Sequence, residues 1–233
     1  MITTEQINRA LGIKESYQAS DVLMKILFKK TEREELFKEI LELDWHLDHD
    51  IFLVYFEEEH ANKKKYAQDF TPDSIAQILS KIIKIESNGN YGTRMDVASG
   101  TGSLIIRKWF DDRTKVNPLN YKPSNYFYHC EELSDRALPF LLFNLMIRGM
   151  NATVVHGDAL TREVKQVYFI QNTNDDYQKY SDINIMPHTD AIMKEFDIRK
   201  WIEDPIDHIE NREFPYYLKE VVDIGQTRDE MVE

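Results

Sequence analysis

The chain has 233 residues, 42% of them hydrophobic, a formal net charge of -12 and one cysteine. That length holds a single sizeable core, an α/β unit with a smaller helical appendage, and excludes two full catalytic domains. So acidic a chain lacks the Lys and Arg footprint that phosphate contacts need and is expected to bind DNA poorly alone; lone Cys130 excludes an internal disulfide and any four-cysteine zinc site.

No charged, apolar leader opens Met1-Ile2-Thr3-Thr4-Glu5. The longest apolar runs, Ile51 to Phe56 and Leu138 to Ile147, are shorter than the roughly 20 residues that span a bilayer, so a soluble, cytoplasmic protein with no membrane partner is expected. From Thr3 to His60 apolar residues such as Val22, Ile26, Leu27 and Leu36, Ile40, Leu41 recur at three-to-four spacing, which predicts a helical N-terminal subdomain over residues 1–62. Helix starts are expected at Ser20-Asp21 and at Thr31, where Glu34 completes a capping-box pattern. The cluster Asp44, His46, Asp48, His49, Asp50 has metal-ligand residue types, but no third group is placed by sequence, and an amphipathic helix end has the same composition; no metal is expected.

After Lys63-Lys64-Lys65 short apolar strands alternate with glycine-bearing turns and helices, the pattern of a doubly wound α/β sheet over residues 63–190. Strands are expected at Arg94–Ala98, Tyr126–Cys130, Thr153–His156 and Val167–Ile170, with helices at Leu104–Phe110 and Ser134–Arg148. Gly149 caps the second helix, and Pro139 bends it or marks its first turn. Residues 191–233 form an acidic segment that completes or flanks the core; Glu203 to Glu233 holds ten Asp or Glu against three Lys or Arg. Such a tail is either a solvated face or a surface for a basic protein partner.

The turn Ser99-Gly100-Thr101-Gly102-Ser103 follows a strand and opens a helix. Its glycines let backbone approach a ligand while the helix N-terminus offers free N–H groups, although a tight structural turn accounts for the same letters. Glu132, just past the second strand, is placed to accept from ribose hydroxyls, and Asp158, past the third, from an adenine amine. Upstream, Phe70-Thr71-Pro72 leads into a helix that brings an aromatic and a second helix N-terminus.

Four segments, in order over some ninety residues, carry a family resemblance: Gln68-Asp69-Phe70-Thr71-Pro72; Asp96-Val97-Ala98-Ser99-Gly100-Thr101-Gly102-Ser103-Leu104; Cys130-Glu131-Glu132-Leu133-Ser134 with Asn144-Leu145-Met146-Ile147-Arg148-Gly149; and Gly157-Asp158-Ala159-Leu160. The stretch from about Tyr66 to Leu160 resembles the N6-adenine DNA methyltransferases found as modification subunits of type I restriction-modification systems. The resemblance implies a Rossmann-like class I S-adenosylmethionine-dependent methyltransferase sheet. It also implies an S-adenosylmethionine pocket lined by Phe70, Thr71, Asp96, Ser99, Gly100, Thr101, Gly102, Glu132 and Asp158. That family bears an N-P-P-F or N-P-P-Y loop after its fourth strand, which holds and stacks the flipped adenine. No such tetrad stands in this chain. The degenerate candidates are Asn172-Thr173-Asn174-Asp175 and Asn184-Ile185-Met186-Pro187-His188, so Asn172, Asn184 and Pro187 are the catalytic candidates, with ordinary turn residues as the competing account.

Two functions follow. One is an adenine-N6 DNA methyltransferase, or its cofactor-binding half, taking DNA affinity from a partner subunit. The other is a catalytically silent pseudo-methyltransferase that keeps the cofactor pocket and acts as a cofactor-binding or protein-interaction factor, for example in phage anti-restriction. A nicotinamide-dependent oxidoreductase shares the glycine turn but leaves Phe70-Thr71-Pro72 and Gly157-Asp158 unexplained.

Overall fold

A computed structural model of the chain describes residues 2–61, 92–117 and 120–212. Four helices come first: α1 (Thr4–Ala10), α2 (Ala19–Leu27), α3 (Lys30–Leu43) and α4 (Leu53–Ala61). Thr3 closes a capping box with Gln6 at the start of α1. Thr31 does not play that part in α3, which begins at Lys30 with no side-chain cap. Among the described residues, no helix is long and apolar enough to cross a membrane.

The second part is a mixed sheet: β1 (Gly92–Val97), α5 (Ser103–Thr114), β2 (Tyr126–Glu132), α6 (Leu138–Ile147), β3 (Ala152–Asp158), β4 (Glu163–Gln171), β5 (Asp182–Ile185), α7 (Asp190–Glu195) and β6 (Lys200–Trp201). The strands lie in the order β1-β2-β3-β4-β5, with β6 alongside the start of β4. β1, β2 and β3 are parallel, each joined to the next through a helix, as the alternating pattern requires. All four expected strands form, each longer at one or both ends, and Pro139 falls in the first turn of α6, where its missing N–H costs nothing.

From β3 onward the sheet departs from a doubly wound pattern. Four residues, 159–162, separate β3 from β4, too few for a crossover, so the chain turns back and β4 pairs antiparallel with β3. Arg162 makes that turn at φ 60°, its N–H bonded to the Asp158 carbonyl at 2.8 Å. β5 is antiparallel to β4 and therefore runs in the direction of β1–β3.

All ten residues of α6 are buried, because the helix is apolar on every side and is covered by the sheet on one flank and α2 on the other. Phe37 and Phe52 meet Phe143 edge-on at 4.8 and 4.9 Å. The helices of residues 2–61 thus share one hydrophobic core with the sheet rather than forming a core of their own. A smaller apolar cluster on the other sheet face joins Val155, Val167 and Phe169 to Ile192 and Phe196. The segment 202–212 folds back along β5 and is anchored by Glu210, whose carboxylate takes two hydrogen bonds from fully buried Arg33 at 2.6 and 2.7 Å.

Candidate functional site

The loop between β1 and α5 is the most contorted backbone in the described residues. Ala98, Gly100 and Gly102 all have positive φ, at 61, 58 and 100°. Glycine adopts this region freely, whereas Ala98 carries a strain of roughly 1–2 kcal/mol. A Cβ on Gly102 would stand 2.9 Å from Leu141 Cδ1, so the glycine also lets α5 pack on α6. The loop is held by its own bonds: the Ser99 hydroxyl donates to the Asp96 carbonyl (2.7 Å), the Ser99 N–H to the Glu131 carbonyl (3.0 Å) and the Gly102 N–H to the Ser99 carbonyl (2.9 Å).

At the C-terminal ends of β1, β2 and β3 this loop forms one wall of a cleft of about 490 Å³. Asp96, Ser99, Gly100, Thr101, Glu132 and Asp158 all line it. Gly102 stands just behind them as the N-terminal flanking residue of α5, and Phe70 and Thr71 lie outside the described residues. The Glu132 carboxylate bridges two elements: Oε2 accepts the Gly100 N–H at 2.6 Å and Oε1 the Ser134 N–H at 2.7 Å. Asp158 accepts the Leu160 and Thr161 N–H groups at 2.8 and 3.3 Å, and these bonds hold its pKa below the usual carboxylate value. Asp96 is different. Its Oδ2 is buried without a hydrogen-bond partner, and burial, reinforced by the negative charge of Glu132, pushes its pKa up to about 6 against the pull of the Ser99 hydroxyl.

Four carboxylates therefore face or floor the cleft, Glu131 being the fourth, and among its described lining residues there is no Lys or Arg. Val97, Leu133 and Leu160 form apolar rims, with Leu133 58% and Leu160 89% exposed.

The two asparagine candidates are not brought to this cleft. Because β4 runs antiparallel to β3, its end lies beside the start of β3, and Asn172 sits at the opposite edge of the sheet. There it is buried, its N–H bonded to Asn151 Oδ1 and its side chain donating to the carbonyls of Gly149, Asp176 and Lys179. Asn184 lies in β5, two strands beyond β3, with its side chain fully engaged. It donates to the Asn211 carbonyl at 2.7 Å and accepts from the Glu210 and Asn211 N–H groups at 2.8 and 3.1 Å. Pro187 follows β5 as an exposed residue whose carbonyl caps Thr189, and His188 stacks on Trp201 at 3.7 Å. None of these lines the cleft, and the expected catalytic role of Asn172, Asn184 and Pro187 finds no support in their placement.

Residues 49–213, well over half of the chain, match the family model for N-6 DNA methylases. The chain belongs to the N-6 DNA methylase family. No curated protein and no solved structure matches it.

Two groups that support the cleft carry no such signal in the sequence. Asp50 reaches α5 from the loop before α4: its Oδ2 accepts the hydroxyls of Thr101 and Ser103, the latter at 2.8 Å. It lies in the cluster that carried metal-ligand residue types, but among the described residues no group of three His, Cys, Asp or Glu is arranged for a metal. Beneath the cleft, Arg162 Nη1 binds both oxygens of buried Glu131 at 2.9 and 2.8 Å, while His129 Nε2 stands 3.2 Å from Oε1. Neither partnership has a local signature, because the paired residues lie 51 and 53, or 31, positions apart. Cys130 is fully buried on β2, where burial pushes its thiol pKa up and suits it to packing.

Proposed function

We propose that the cleft binds S-adenosylmethionine and that the chain is the cofactor-binding part of a DNA adenine-N6 methylase. The observation that carries this reading is the charge of the cleft. A glycine turn at a helix start suits nucleotide phosphates as well as S-adenosylmethionine, but pyrophosphate cofactors bring negative charge to a wall of Asp96, Glu132 and Asp158. A sulfonium and an α-ammonium group bring the opposite sign. The Asp96 Oδ2, buried and without a hydrogen-bond partner, is the unmet acceptor such a ligand satisfies.

The donor set fits the rest of the ligand. Each Glu132 oxygen already holds one backbone N–H and keeps a second lone pair for a ribose hydroxyl. Asp158 is fixed by its turn as an acceptor for an adenine amine, and the exposed Leu133 and Leu160 offer apolar surface to a planar base. The bound cofactor would supply the electrophilic methyl group; this chain's residues bind and orient it and set the charge around it.

Transfer also needs a group that holds the adenine amine, and the side chains of Asn172 and Asn184 are committed elsewhere. In this reading that group, and the positive surface a chain of net charge -12 lacks, come from a partner subunit. Calorimetry with S-adenosylmethionine and with NAD tests the cofactor. Binding of S-adenosylmethionine alone is expected, and binding of NAD alone would sink the proposal. Methyl incorporation into DNA with and without co-purifying subunits tests the reaction, and its absence in both favours a silent cofactor-binding protein instead.

A further inference from the structure

Asp50 belongs to the loop ahead of α4, 46 positions before the first residue of the cleft, yet it is buried and spends its whole side chain on the glycine turn and its support. Oδ2 accepts from Thr101 Oγ1 and Ser103 Oγ; Oδ1 accepts from Asn144 Nδ2 at 2.8 Å and from the Phe52 N–H at 3.0 Å. Asn144, the single polar side chain of α6, also donates to the Thr101 carbonyl at 2.9 Å. Arg148, one turn on, donates to the Asn144 carbonyl and Oδ1 at 2.7 and 2.9 Å and returns to the Asp50 loop through the carbonyls of Leu47 and His49. Burial pushes the Arg148 pKa down to about 10, with Asp50 and Asp48 opposing that fall.

We propose that Asp50 is the positioning residue of the cofactor cleft, locking the Ser99–Ser103 turn from behind through the Thr101 and Ser103 hydroxyls. Three features of the site call for such a lock. Two residues of the turn, Gly100 and Gly102, are left-handed, and Ala98 just before it is a strained left-handed alanine. α5 begins with no side-chain cap of its own, so a carboxylate placed at its start by another element stabilises the helix end. Thr101, fully buried beneath the turn, has a hydroxyl that needs a partner there. The family match begins at residue 49, so the Asp50 loop lies inside the methylase span, unlike α1, α2 and α3.

The proposal rests on the S-adenosylmethionine reading for its effect on binding, but the lock itself is read without ligand. In ligand-free Asp50→Ala, hydrogen exchange of the amides in 99–106 is expected to speed up by about tenfold or more, the worth of two lost hydrogen bonds, while β3 and β4 exchange as in wild type. The same variant is expected to bind S-adenosylmethionine about tenfold more weakly or worse. Adding Thr101→Val and Ser103→Ala to it should cost nothing further, because Asp50 acts through those hydroxyls. Glu32→Gln, at an exposed residue of α3 outside this network, should leave both readouts unchanged. Should Asp50→Ala fail to fold, Asp50→Asn, which keeps size and one acceptor, carries the same comparison. Unchanged exchange at the turn, or losses that add across the sites, overturns the proposal. Wild-type protein that binds no S-adenosylmethionine overturns the cofactor reading, and the exchange result still decides the lock.

Discussion

Glu132 Oε2 accepts the Gly100 N–H at 2.6 Å, so the end of β2 grips the turn after β1 across 32 positions of sequence. The second oxygen holds Ser134 N–H, which ties the entry to α6 into the same carboxylate. Glu132→Gln keeps one acceptor but turns the other into a donor facing a donor. A loss of about 1–3 kcal/mol is expected, with weaker S-adenosylmethionine binding. Thermal melts and calorimetry on the variant check both, and unchanged values in each would remove the bridge from the account.

Asp96 gives a pH dependence. Its pKa in the fold is raised from 3.8 to about 6, so its stabilising contribution relative to the ionised state is complete below about 3.8 and lost as pH rises through 6. Ligand binding has the opposite demand, since a cationic ligand needs the ionised carboxylate. S-adenosylmethionine affinity should therefore be level above pH 7 and fall as pH drops through about 6. Asp96→Asn removes the charge, so at pH 7.5 it should raise the melting temperature, by up to about 3 kcal/mol in stability, while weakening binding. Melts and titrations across pH 5–8 check the pair of trends.

The Arg162–Glu131 pair is a test of the floor of the cleft. Arg162→Met leaves Glu131, 3% exposed, without its guanidinium, and a loss of about 3–5 kcal/mol is expected. Glu131→Gln in the same background should recover much of it, because the uncompensated charge is gone. Denaturant melts of the two singles and the double form the cycle, and simple additivity would contradict a coupled pair.

Asn184→Ala separates a structural residue from a catalytic one. Three hydrogen bonds fasten the segment 210–211 to β5 through this side chain, so stability should fall by about 1–3 kcal/mol. S-adenosylmethionine affinity should not move, since Asn184 is outside the cleft lining. A selective loss of methyl transfer in a variant of wild-type stability would restore its catalytic candidacy.

Much of the wound half of the sheet was legible because its signals are local. The glycines of the turn, the apolar run of α6 and the acids at the ends of β2 and β3 each announce themselves within a few residues. β5, α7 and β6 carry no comparable local signal: each is short, and β6 pairs with the start of β4 across the intervening β5 and α7. The reversal of β4 was written in the brevity of residues 159–162, a signal of connection length rather than of residue type. That reversal carries Asn172 to the end of the sheet opposite the cleft.

The amino-acid sequence by itself determined this wall of the cleft, because Gly100 and Gly102 dictate backbone conformation and Glu132 and Asp158 follow directly from strand ends. It also determined the family to which the chain belongs. Only the tertiary structure decided that Asn172 and Asn184 are fully occupied away from that wall, and that Asp50 stands behind it. Backbone geometry is a property of neighbouring residues, whereas the partner of a buried polar side chain is set by which distant elements the core brings together.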